Sequence, residues 1–115
     1  MRAACIMAVL VLAGPAAAAD GAAAFKTQCG GCHTLTGTSG PAGPSLKGVV
    51  GRKVASLGDY FYSPALHAKG GVWTRAALDA YVASPYTYIT GGKMFANDPD
   101  AGDRAAIIAY LQTLK

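Results

Sequence analysis

Apolar residues recur at helical spacing in three stretches of this chain and are scattered without period between them. Gly21 and Phe25 stand four residues apart in the segment leading to Gln28, and Asp20 is a good N-cap type, so a first helix is predicted over 20–28. Leu78, Tyr81 and Val82 share a face behind the capping residue Thr74, in a helix that Pro85 closes. Ile107, Ile108, Tyr110, Leu111 and Leu114 form the apolar face of a last helix, which Asp98-Pro99 is predicted to start. Ser63-Pro64 opens a short helix, with Ser at the cap and Pro in the first helical position, and Gly70-Gly71 ends it. From Thr34 to Leu57 the chain is glycine-rich with two prolines and reads as loop, and a second loop runs to Met94 and beyond. Only Val49-Val50 offers a local extended stretch. The fold class is therefore all-α, without repeat or linker.

The first 19 residues follow a different pattern. Arg2 is a short positive region, Ile6 to Ala13 an apolar core, and Ala17-Ala18-Ala19 the small residues a signal peptidase accepts. Cleavage before Asp20 is expected, leaving one domain over 20–115 and a periplasmic location. Gly14-Pro15 interrupts the apolar run well short of the ~20 residues that span a bilayer, so no membrane insertion is expected after processing. Cys5 would leave with the signal. The mature part carries nine Lys and Arg against six Asp and no Glu. With no basic run, nucleic-acid binding is not supported. A domain of this size is near the limit at which a polypeptide core alone suffices.

The chemistry concentrates in Cys29-Gly30-Gly31-Cys32-His33. Two thiols three positions apart with an imidazole directly after them suit thioether bonds to both vinyl groups of a haem, with His33 on its iron. Structural zinc needs four ligands, and no second cysteine pair or spaced histidine pair completes the set. A redox Cys-x-x-Cys belongs at a strand end in a βαβ pattern, which this chain lacks. A covalent haem c is the expected cofactor.

If His33 is one axial ligand, the other comes from Met94, His67, a lysine or water. Met94 is the only methionine outside the first 19 residues, and it lies in the polar loop Gly91-Gly92-Lys93-Met94. His67, within Ser-Pro-Ala-Leu-His-Ala, reads as a solvated helix residue. His/Met coordination leaves no open position and favours ferrous iron, which suits electron transfer without bond making. Catalysis is not expected.

Taken together the chain resembles a class I c-type cytochrome of the mitochondrial and small bacterial periplasmic kind. The resemblance covers residues 21–114: the Gly21/Phe25 face, Cys29-x-x-Cys32-His33, Gly43-Pro44-x-Leu46, Gly51-Arg52, Tyr62-Ser63, Trp73, Leu78-x-x-Tyr81, Pro85, Gly91-x-Lys93-Met94 and Ile107-x-x-Tyr110-Leu111. It implies four to five short helices around one haem, with the first and last crossing at Gly21 and Phe25 packing against Ile107 and Tyr110. It implies that the Pro44 carbonyl accepts a hydrogen bond from His33. Arg52, Tyr62 and Trp73 would serve a propionate, and Tyr81 would approach Met94. The implied function is that of a monomeric electron carrier between redox proteins, such as a membrane quinol-oxidising complex and a terminal oxidase, reductase or photosynthetic reaction centre. Alternatives are a haem protein whose Met94 comes off to admit a small ligand or peroxide, or a subunit of a larger redox enzyme.

Departures from the family pattern sharpen these expectations. Gly92 stands where a threonine is usual, Leu66 where many members have asparagine, Ala96 where an aromatic often lies at the haem edge, and Thr90 where the ligand loop has proline. They imply a more mobile Met94 loop. Gln28, Tyr86 and Thr87 replace common lysines, leaving Lys26, Lys47 and Lys93, so docking is expected to rely on apolar contact near Tyr86, Tyr88 and Phe95 with weak salt dependence.

Overall fold

The computed structural model describes residues 15–115; Arg2, Cys5 and the Ile6 to Ala13 core of the expected export signal lie outside them. Five helices follow in order: α1 Pro15–Gln28, α2 Pro64–Lys69, α3 Arg75–Ala83, α4 Pro85–Tyr88 and α5 Ala101–Gln112. Among the described residues the only β pairing is an isolated antiparallel bridge between Lys53 and Val72.

Local signals place α2 and α3 as expected. Ser63 Oγ accepts from Leu66 N at 3.1 Å, and Thr74 Oγ1 from Ala77 N at 3.1 Å, each meeting one of the N–H groups a helix start leaves unpaired. Gly70 ends α2 at φ +62°, a conformation that suits glycine.

Four expectations are corrected. Helix α1 starts at Pro15 and not at Asp20, because Ala16 to Ala19 are the strongest helix formers and carry the helix through. Pro85 does more than close α3. It sits at the first position of a new turn, α4, inside what reads as loop, with Tyr88 N donating to Ser84 O and Ile89 N to Pro85 O, both at 3.0 Å. The cap of α5 is Asp100, whose Oδ1 accepts from Asp103 N at 2.8 Å. Asp98 instead folds its Oδ1 onto Asp100 N at 3.0 Å, a turn that an aspartate makes two residues ahead of itself. Val49-Val50 is not extended: Val49 is 2% exposed within a turn, donating to Leu46 O and accepting from Arg52 N.

Helices α1 and α5 cross face to face. A Cβ on Gly21 would lie 2.0 Å from Ala106 O and 2.8 Å from Tyr110 Cβ, so only glycine permits the approach. One turn on, buried Phe25 meets the Tyr110 ring at 6.2 Å between centroids, tilted by 58°. The long loops are fastened separately. Ser39 donates through both N and Oγ to the Asp59 carboxylate at 2.8 and 2.7 Å. Gly51 N donates to Trp73 O at 2.8 Å, and Gly48 N to Leu114 O at 2.9 Å.

Gly21→Ala is expected to destabilise the haem-loaded protein by about 2 kcal/mol, the overpacking at Ala106 outweighing the better helix propensity of alanine. Urea unfolding followed by the haem absorbance measures it, and a variant as stable as the parent would refute the crossing.

Candidate functional site

Helix α1 does not stop cleanly at Gln28. Cys29 N and Gly30 N both donate to Phe25 O at 2.7 and 2.9 Å, and Cys32 N and His33 N both donate to Cys29 O at 3.1 and 3.0 Å. This added turn sets both cysteines and His33 on one wall of a cavity of about 350 Å³. Both thiols are free, Cys29 half-buried and Cys32 exposed. Burial, then the nearby charges of Asp98 and Cys32, pushes the Cys29 thiol up to about 11.

His33 is oriented by the backbone. Its Nδ1 donates to the Pro44 carbonyl at 2.9 Å, the pairing that the resemblance implied, which assigns the tautomer and leaves the Nε2 lone pair unengaged. Burial lowers the imidazole below its ordinary value, with the Pro44 carbonyl opposing in part, so the ring is neutral and able to bind a metal. Behind it stands Gly43, where a Cβ would lie 2.8 Å from both Cε1 and Nδ1 of the ring.

The other predicted residues reach the same cavity. Pro44, Arg52, Tyr62, Trp73, Tyr81 and Met94 all line it, with Cys29, Cys32 and His33, whereas His67 does not. His67 is exposed and meets the Tyr62 ring edge-on at 5.8 Å. Arg52 donates from Nη1 to Ser45 O at 2.7 Å and from Nη2 to Lys47 O, and so holds its guanidinium at the cavity edge. Tyr62 Oη accepts from Leu57 N at 3.3 Å and keeps its own proton to donate. Burial is the main cause that raises both Tyr62 and Tyr81, so both phenols stay protonated near neutral pH. Tyr81 stacks at a tilt on Trp73, 5.0 Å between centroids, and touches Tyr88 at 5.8 Å.

The Met94 loop is tied down on its far side. Lys93 Nζ donates to Phe61 O at 2.6 Å and lies 5.2 Å from the centre of the Tyr60 ring. That contact joins the Met94 loop to the loop before α2 across the cavity mouth, a restraint that the glycines of the sequence do not announce. Sequence reasoning also missed two features of the wall. Phe95 lines the cavity at 76% exposed, so the chain supplies an aromatic at the mouth one position before Ala96. Asp98 lines it as a buried carboxylate. The exposed aromatics are Phe61, Tyr86 and Phe95; Tyr88 is half-buried, with Lys69 Nζ 4.5 Å above its ring.

Two free thiols, a neutral oriented imidazole and a thioether on one apolar cavity form a donor set that fits a covalently held haem. Comparison with known proteins leads to the same class. A family model for cytochrome c matches residues 18–115. The chain is 43% identical over 91 residues to cytochrome c2 iso-1 of Magnetospirillum molischianum, covering 76% of this chain and 91% of that one. It is 43% identical over 91 residues to the cytochrome c-type cyt cy of Rhodobacter capsulatus, covering 78% of this chain but spanning only 45% of that relative's length. Among solved structures it resembles cytochrome cH from Methylobacterium extorquens, with a TM-score of 0.77 and 40% identity over 84% of this chain and 97% of that one. The chain belongs to the cytochrome c family. It is a haem c protein of the electron-carrying kind and not an enzyme.

Gly43→Ala is expected to push His33 off its position and cost the haem-loaded protein about 1–3 kcal/mol. Thermal unfolding, with the haem spectrum recorded alongside, checks this; unchanged stability and spectrum would show that the ring has room to move.

Proposed function

We propose that residues 20–115 form a periplasmic shuttle, exported by residues 1–19 and loaded with one haem through Cys29 and Cys32, with His33 and Met94 as axial ligands. The observation that carries this reading is the fixed His33 tautomer, on a cavity that is also lined by Met94, the only methionine after residue 19. Haem c supplies exchange of one electron between ferrous and ferric iron. The chain's own residues do the rest. Pro44 and Gly43 hold the imidazole, Arg52 and Tyr62 offer donors to a propionate, and Trp73 and Tyr81 wall off water.

Export is supported by the Arg2, Ile6 to Ala13 and Ala17-Ala18-Ala19 pattern and by the Gly21 and Phe25 contacts of α1 with α5, both of which lie after the expected cleavage point. Among the described residues no helix is long and apolar enough to cross a membrane. The redox partners are a quinol-oxidising membrane complex on one side and a terminal oxidase, reductase or photosynthetic reaction centre on the other. Exposed Phe61, Tyr86 and Phe95 support docking through apolar contact, with the Lys93 ammonium held on the Phe61 carbonyl.

The first experiment is the ferric spectrum of the processed protein, with and without Met94→Ala. The weak far-red band that reports sulfur on ferric iron is expected in the parent and absent from the variant, and carbon monoxide is expected to bind only the variant at neutral pH. A parent without the band that binds carbon monoxide readily would replace electron transfer with ligand binding. In a second measurement, the electron-transfer rate with a membrane redox partner is expected to change little between low and physiological ionic strength. A steep fall with salt would place the docking energy in charge instead.

A further inference from the structure

Asp98 is the one acidic side chain placed among the apolar residues of the cavity wall, and it is only 3% exposed. Its backbone is held at both ends: the N–H donates to Val82 O at 3.0 Å, and the carbonyl accepts from Arg104 Nη1 at 3.1 Å. The carboxylate is only half satisfied. Oδ1 accepts from Asp100 N at 3.0 Å, while Oδ2 has no hydrogen-bond partner among the described residues. The neighbouring cation does not neutralise it directly, because Arg104 Nε is committed to the Asp79 carboxylate at 2.9 Å and reaches Asp98 only at its carbonyl.

A buried carboxylate without a paired cation is costly, and a turn and a cap at this point do not require one. Its charge is felt along the wall, where after burial it is the next cause that raises the Cys29 thiol. The cofactor held on this wall changes charge by one unit in each turnover. The ferric form carries one more positive charge than the ferrous form, and a negative group in a low-dielectric wall stabilises the more positive state.

We propose that Asp98 sets the reduction potential of the haem, holding it below the value that the same ligands would give beside a neutral side chain. The one electron accepted from the donor then removes the positive charge that offsets the carboxylate, so reduction is disfavoured by the wall itself. Asp98 acts through the field and not by ligation, and it is a positioning residue for charge in that sense. The inference rests on the haem reading above, and on Met94 only where the far-red band is used as a check.

The test is a redox titration of the haem-loaded protein at neutral pH for the parent, Asp98→Asn and Asp98→Leu. Asparagine keeps an oxygen for Asp100 N; leucine keeps neither oxygen nor charge. Both variants are expected to raise the ferrous-to-ferric ratio at a fixed applied potential about tenfold, a shift of about 59 mV for a one-electron couple. Asp103→Asn, which removes a charge from α5 outside the cavity lining, is expected to move the ratio far less. An unchanged or lower potential in both Asp98 variants with the far-red band intact overturns the proposal, as does an equal rise in Asp103→Asn. Loss of the band in both Asp98 variants also overturns it, because the carboxylate would then be holding the ligand loop. Absence of the band from the parent is a failure of the Met94 reading alone, and the comparison of potentials still decides the role of Asp98.

Discussion

Most of the buried apolar side chains described in this protein pack in one cluster that also forms part of the cavity wall. Val49, Trp73, Leu78, Ile107, Ile108 and Leu111 belong to the core and also line the cavity. The cavity is therefore the centre of the core and not a pocket added to it. A domain this small buries a limited fraction of its surface by itself, and an apolar prosthetic group fills what the side chains leave. Between α1, α3 and α5 the walls are largely loop, fastened by a few hydrogen bonds such as the pair from Ser39 to Asp59 and that from Gly51 N to Trp73 O. So much irregular backbone is tolerated because nearly every segment contributes residues to the cavity wall, where a bound haem would tie them together.

Control of that cofactor is exercised by backbone as much as by side chains. The Pro44 carbonyl fixes His33, and the absence of a Cβ at Gly43 gives the imidazole its place. Arg52 uses two of its donors on the carbonyls of Ser45 and Lys47, which holds a cation at the cavity edge. Lys93 works in the same manner at the mouth, on the Phe61 carbonyl. Neutral acceptors position these cations while leaving their charge available to an anionic group on the haem.

How much of this was legible depends on whether the deciding interaction was local. The Ser63 and Thr74 caps lie three residues from the N–H groups they serve, and the sequence shows both. The Cys29, Cys32 and His33 motif is equally local, since one turn of hydrogen bonds on Phe25 and Cys29 arranges it. Asp98-Pro99 reads as the start of α5 because aspartate is a good cap type and Pro99 fits a first helical position, but Asp98 Oδ1 turns back onto Asp100 N and leaves the cap to Asp100. The burial of the Asp98 carboxylate left no trace in periodicity, because it depends on α3 and α5 converging around it. The Lys93 restraint joins residues 32 positions apart, so it is not visible beside the Gly92, Leu66, Ala96 and Thr90 departures from which the loop reads as mobile. Phe95 was legible as an exposed docking contact, but its place in the cavity lining beside Ala96 depends on how the loop folds.

The crossing of α1 and α5 brings together the two ends of the described chain. Gly21 must wait for Ala106 and Tyr110, some 85 residues later, before its helix has a partner. Loop-closure entropy rises only slowly with such a length, so the delay lies in supply and not in the cost of closing. A chain emerging N-terminus first has α1 and the two cysteines that follow it in the open for as long as the remainder is still arriving. The order of the sequence thus gives a window in which both thiols are fully open before α5 docks, whereas in the folded protein Cys29 is half-buried and only Cys32 stays exposed.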